Sequence, residues 1–194
     1  VEDAYAATAW SAAHLRELGV EKLAVAGSSA GGNLAAVVSL MARERGPRIA
    51  LQVLHAPVAD HDLDTRSYHA YANGNGLTRE GMRWFWDHYL PDGARRAEPQ
   101  ASPLRAAALR GLPPAIVVTA ECDPLHDEGA AYAARLRSAG VPVTHLDYMG
   151  MVHGFMGWSS EIPQARRAFD EIGAAMRAAL GPVATGGAPG SPSV

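Results

Sequence analysis

Ser29 stands at the centre of Gly27-Ser28-Ser29-Ala30-Gly31-Gly32. The apolar run 22–26 precedes this stretch, and a helix-like run, residues 33–41, follows it. A serine between two glycines at minus two and plus two, on a strand-to-helix turn, is lifted clear of the backbone at the end of a sheet. The chemistry implied is nucleophilic attack on a carbonyl. A hydroxyl attacks poorly near neutral pH unless a base takes its proton, and that base needs an acid to fix its tautomer. Ser29 therefore predicts an Asp or Glu and then a His, in that chain order. Gly27 and Gly31 are expected to be small because a side chain at either place would crowd the adjoining strand or helix.

Asp123 and His153 meet the requirement. Asp123 follows the β-branched run 115–120, and His153 follows the run 141–147, in a segment where Gly150 and Gly154 would let an imidazole swing back over the sheet. Ser28 lacks the symmetric glycine flanks. Asp127 falls in a first helical turn, where an acid complements the helix dipole. His126 shares that turn, and His145 lies inside a strand pattern. The Ala30 N–H, at the helix start, is placed to donate to a developing oxyanion.

The elements that must carry these groups alternate along the chain. Helical spacing covers residues 2–18, with Gly19 as cap, then 30–44, 79–90, 125–139 and 163–180. Strand patterns cover 22–27, 49–54, 115–120 and 141–147. A long polar segment, about 55–78, has no assigned element, and Asp60 within it no assigned role. Alternation of this kind implies an α/β fold with a mostly parallel sheet flanked by helices, whose chemistry collects beyond the carboxyl ends of the strands.

Composition narrows the function classes. The 194 residues are 48% hydrophobic, sufficient for one domain with a core, and the net charge of -3 offers no basic stripe for nucleic acid. No apolar run approaches a membrane span. A single cysteine, Cys122, excludes an internal disulfide framework and a Cys-based zinc site, and fits a reducing, cytoplasmic compartment. No metal or organic cofactor is expected, since the triad generates its own nucleophile. The Gly/Pro/Ser-rich residues 181–194 are expected to be disordered.

Taken together, residues 27–33 (GSSAGGN), 82–90 (MRWFWDHYL), 101–104 (ASPL), 119–129 (TAECDPLHDEG) and 148–155 (YMGMVHGF) resemble the hormone-sensitive-lipase-like esterases, the α/β-hydrolase fold-3 family. The likeness spreads over most of residues 1–180. It implies a triad of Ser29, Asp123 and His153, acting on carboxylic esters with short to medium acyl chains. It also implies a cap-like segment at about 60–95, whose aromatics Trp84 and Phe85 contact substrate unless they are core anchors, and a possible homodimer through the last strand and helix. Ser28 stands where many members carry Asp. Members also carry an upstream His-Gly-Gly motif that builds most of the oxyanion hole, and this sequence has none. The chain is accordingly expected to be the C-terminal part of an esterase, with weak oxyanion stabilisation and an exposed apolar edge at residues 22–27. A non-catalytic small-molecule receptor and an amidase or peptidase on the same fold are the competing functions. His153 favours an enzyme over a receptor.

Overall fold

The computed structural model describes residues 1–181, so the predicted tail lies, Gly181 aside, outside the described residues. Element order is α1 (Glu2–Ala13), β1 (Ala24–Ser28), α2 (Ala30–Arg45), β2 (Leu51–His55), α3 (Arg66–Ala70), α4 (Arg79–Tyr89), β3 (Ala115–Cys122), α5 (His126–Ser138), β4 (Val143–Val152) and α6 (Pro163–Leu180). The four strands form one parallel sheet in the order β1-β2-β3-β4, as the alternating pattern implies.

Short, apolar central strands explain the layering. β2 is buried along its first four residues, and β3 along its first six, because both of their faces are covered. Leu54 and Val117 point to one face and meet Tyr132 and Leu136 of α5 and Ala36 of α2. Leu51, Val53, Ile116 and Val118 point to the other and meet Phe155 and, from α6, Ala165 and Ala168. A third cluster joins Val58, Tyr68, Met82, Trp86 and Leu125 above the carboxyl ends of the strands.

Boundaries differ from expectation where pairing, not composition, sets them. The first helix ends at Ala13, not at residue 18; residues 14–19 continue as turns that close at Gly19, with φ 68°. None of its residues is buried; Ala4 and Tyr5 near its start pack against the Val38 and Ala42 cluster, whereas Leu18 is exposed and has no such contact to extend the helix to it. The first two strands begin two residues later than expected because the ladder opens at Ala24 opposite Leu51. The last strand runs to Val152, beyond the expected 147. An irregularity at Ala120–Cys122 of β3 restores its pairing, with Cys122 opposite Val152. Gly150, φ 72°, is therefore inside β4, and its N–H donates to Glu121 Oε2 at 2.7 Å. Within the unassigned polar segment, Thr65 caps α3. This helix is only five residues long, yet Tyr68 in it is fully buried.

Candidate active site

β1 delivers the chain into a strained turn. Ser29 has φ 57° and ψ -119°, a conformation costing a non-glycine residue about 1–3 kcal/mol. Ala56, at the end of β2 beside it, has φ 41°. Three backbone bonds hold the turn: Ser29 N–H to His55 O at 2.9 Å, Asn33 N–H to Ser29 O at 3.1 Å and Val58 N–H to Ser29 O at 3.2 Å. Burial of Leu54 and Val117 beneath it, at about 1.5–3 kcal/mol per side chain, exceeds that strain. Gly27 is obligatory, since a Cβ there would lie 2.0 Å from the Gly31 carbonyl oxygen. Gly31 is not crowded as the sequence suggests: a Cβ there meets nothing within 4 Å. The second tight glycine is instead Gly32, where a Cβ would lie 3.0 Å from Pro57.

Ser29, His153 and Asp123 come together from three strand ends. His153 Nε2 is 3.1 Å from Ser29 Oγ, and His153 Nδ1 is 2.7 Å from Asp123 Oδ2. Asp123 is fully buried, and its second oxygen accepts the Leu125 N–H at 2.9 Å. With Nδ1–H donating to the carboxylate, Nε2 is left to accept the serine proton. Gly154, in the left-handed region at φ 74°, turns the chain immediately after the histidine. The Ala30 N–H sits at the first turn of α2, where helical amides have no intrahelical acceptor.

The rival side chains have other partners. Asp127 Oδ2 accepts the Ser67 N–H at 2.9 Å. His126 lies between Asp127 and Asp147; burial opposes its charge, but hydrogen bonds to both acids hold its pKa above the ordinary imidazole value. His145 Nε2 is 2.9 Å from Thr119 Oγ1. Asp60 Oδ1 accepts from Arg105 Nε at 2.6 Å.

A second histidine at the site is one that sequence reasoning passes over. His55 ends β2 opposite Ser28, and its Nδ1 is 2.9 Å from Ser28 Oγ. Burial, with repulsion from a charged His153, pushes its pKa down to about 4 despite the nearby Asp123. His55 is thus neutral near pH 7 and does not compete for the Asp123 charge. Its position directly after a strand run was the available signal.

Next to the elbow lies a cavity of about 120 Å³ whose walls include Ala30, Val58, Met82, Phe85, Trp86 and Tyr89. Of the two expected aromatics, Phe85 lines it and Trp84 does not. Trp84 is 56% exposed and packs on the ring of His88. Met82, Phe85, Trp86 and Tyr89 follow the i, i+3, i+4, i+7 stripe of one helix face, and Trp84 is off that stripe. Asn33 anchors the opposite wall, donating to the carbonyls of Val58 and Ala101 at 2.8 Å each. Among the described residues no cluster of His, Cys, Asp or Glu is arranged to hold a metal.

A parallel sheet with a strained serine elbow and with acid and histidine at two later strand ends defines the α/β-hydrolase class. The sequence profile described as "alpha/beta hydrolase fold" matches residues 1–157, and the chain belongs to that family, in its branch of hormone-sensitive-lipase-like esterases. It is 45% identical over 166 residues to the carboxylic ester hydrolase LipN of Mycobacterium tuberculosis, covering 80% of this chain and 44% of that one. It is 37% identical over 168 residues to the ethyl acetate hydrolase of Pseudomonas putida, covering 84% of this chain and 53% of that one. The crystal structure of a thermostable esterase from Pseudomonas putida superposes with a TM-score of 0.89 at 47% identity, over 92% of this chain and 58% of that one. The chain thus spans about half the length of the curated relatives it matches.

Proposed function

We propose that this chain carries the nucleophile, base and acid of a serine carboxylesterase acting on small esters. The observation that carries the proposal is the hydrogen-bond relay Ser29–His153–Asp123 at 3.1 and 2.7 Å. His153 Nε2 takes the Ser29 proton as Oγ attacks the ester carbonyl. The Ala30 N–H donates to the oxyanion, and His153 returns the proton to the departing alkoxide. Water, activated by the same imidazole, then releases the acyl group from Ser29. Asp123 stays ionised throughout and stabilises the imidazolium.

Phe85, Trp86 and Tyr89 would take the acyl chain. The cavity of about 120 Å³ is small and apolar, which suits short acyl chains. In this proposal residues 60–95, with α3 and α4, form a cap over that cavity. The ester-hydrolase names of the relatives favour esters over amides.

The test is labelling of the purified chain by a fluorophosphonate probe. Ser29→Ala is expected to abolish it, and Asp123→Asn to slow it by about 10⁴-fold. Labelling that survives Ser29→Ala would overturn the assignment. With Ala30 as the oxyanion donor and no His-Gly-Gly motif in the 194 residues, hydrolysis of p-nitrophenyl butyrate should run on the order of 10²–10³ below that of esterases that carry the motif.

A further inference from the structure

Glu128 lies on α5, behind the loop that bears Asp123, and is 2% exposed. Its Oε1 accepts the Ala59 N–H at 2.8 Å. Ala59 belongs to the loop after β2, which also supplies the Val58 N–H bound to Ser29 O and the Val58 wall of the cavity. Oε2 has no aligned partner, and neither has the hydroxyl of Tyr68, which lies against the same carboxyl from α3. Among the described residues Glu128 forms no salt bridge, and the guanidinium of Arg105 is bonded to Asp60 Oδ1 at 2.6 Å. The groups facing Glu128 are Asp60 from the loop after β2, Asp123 from the loop after β3 and Tyr68 from α3.

A carboxylate in that place would be an unpaired buried ion beside two other acids, a state costing several kcal/mol. A carboxylic acid needs one donor and one acceptor: the Ala59 N–H donates to Oε1, and Tyr68 Oη, which has no aligned partner of its own, is the acceptor on offer to a proton on Oε2. We propose that Glu128 carries a proton and, as a neutral acid, is a positioning residue. It would hold the loop after β2 against the Asp123 loop and thereby the elbow at Ser29, while leaving Asp123 as the charge that faces His153. Burial drives the Glu128 carboxyl well above the ordinary range. Asp60 and Asp123 push the same way, against the N–H groups of Ala59 and Asp60. Paired environments that send one acid neutral and leave its neighbour ionised are the usual way to keep two carboxyl groups in one site.

The inference rests on the proposed triad for its effect on Ser29, but the proton can be tested without it. Glu128→Gln keeps the shape, the acceptor for Ala59 and a donor for Tyr68. In wild type the folded state binds a proton that the unfolded chain has released above about pH 4.5. Stability of wild type relative to Glu128→Gln must therefore fall as pH rises from 4.5 to 8. The expected result is a Tm difference in favour of Gln that widens over that interval, by thermal melts of both chains. A difference flat with pH would overturn the neutral acid. In fluorophosphonate labelling, Glu128→Gln should match wild type in rate and in the pH of half-maximal labelling. Glu128→Ala should be at least about tenfold slower at an unchanged pH midpoint, because a position is lost and not a charge. A midpoint lowered by Gln would show that Glu128 was ionised, and wild-type labelling by Glu128→Ala would remove the positioning role. If Glu128→Ala fails to fold, the Gln variant decides through its melts and midpoint. If wild type itself does not label, the triad proposal fails while the melts still report on the proton.

Discussion

Ser29, His153 and Asp123 are tightly placed, and the residues around them control which group is charged. His55 shows this most directly. Its pKa, pushed from 6.5 to about 4, means that the folded state binds fewer protons than the unfolded chain between those values. The sign follows: stability is lost as pH falls below 6.5, by roughly 3 kcal/mol at most once pH approaches 4. His55→Gln should remove this loss. Melting wild type and variant from pH 7 to 4.5 is expected to show a shallower decline for the variant, and parallel curves would refute the assignment. In the Ser28–His55 contact a hydroxyl pairs with a neutral imidazole without adding charge beside Asp123.

At the scale of elements, the elbow separates two glycines that look equivalent in the motif. Gly27→Ala would drive a Cβ to 2.0 Å from the Gly31 carbonyl, a backbone atom that cannot yield without breaking the turn. A loss of about 3 kcal/mol or more is expected, together with loss of labelling. Gly31→Ala has open space and a helical position, so a gain of up to about 1 kcal/mol is expected. Urea unfolding of both variants checks the contrast. Helix α4 carries a similar lesson. Thr78 caps it, accepting the Gly81 N–H at 2.9 Å, and residues 82, 85, 86 and 89 form an i, i+3, i+4, i+7 stripe, a spacing that the expectation of Trp84 at the substrate did not use. That stripe selects Trp86 and Tyr89 for the cavity and leaves Trp84 outside it. α3 was not legible, because five residues carry too little periodicity; Tyr68 is buried there by the neighbours of α5 and the loop after β2, not by any pattern of its own.

For the whole molecule, the sheet has two edges among the described residues. β1 pairs only with β2, and β4 pairs only with β3. Ala26 on β1 is exposed, and Met149 on β4 is 66% exposed. Unprotected edges of this kind pair with other chains, and the chain is expected to self-associate in light scattering. Ala26→Lys and Met149→Lys place a charge on one edge each. Whichever variant lowers the scattering mass identifies the edge in use, and a homodimer through the last strand would respond to Met149→Lys. If wild type is a monodisperse monomer, neither edge operates.

The sequence by itself determined the α/β alternation, the elbow with Ser29 at its tip, and the order in which acid and histidine must follow. Those are local properties: glycine spacing, strand and helix periods, and the requirement that a hydroxyl nucleophile have a base. It also carried the obligatory smallness of Gly27, which follows from a turn only a few residues long. Tertiary structure decided the rest. Strand register, set by pairing at Ala24–Leu51 and by the irregularity in β3, extended β4 through Gly150 and fixed where His153 emerges. The convergence of Asp60, Tyr68, Asp123 and Glu128 brings together residues up to 68 positions apart, and no period or motif encodes it. Protonation there depends on burial and on neighbouring charge, and both exist only once the loops have packed over the sheet.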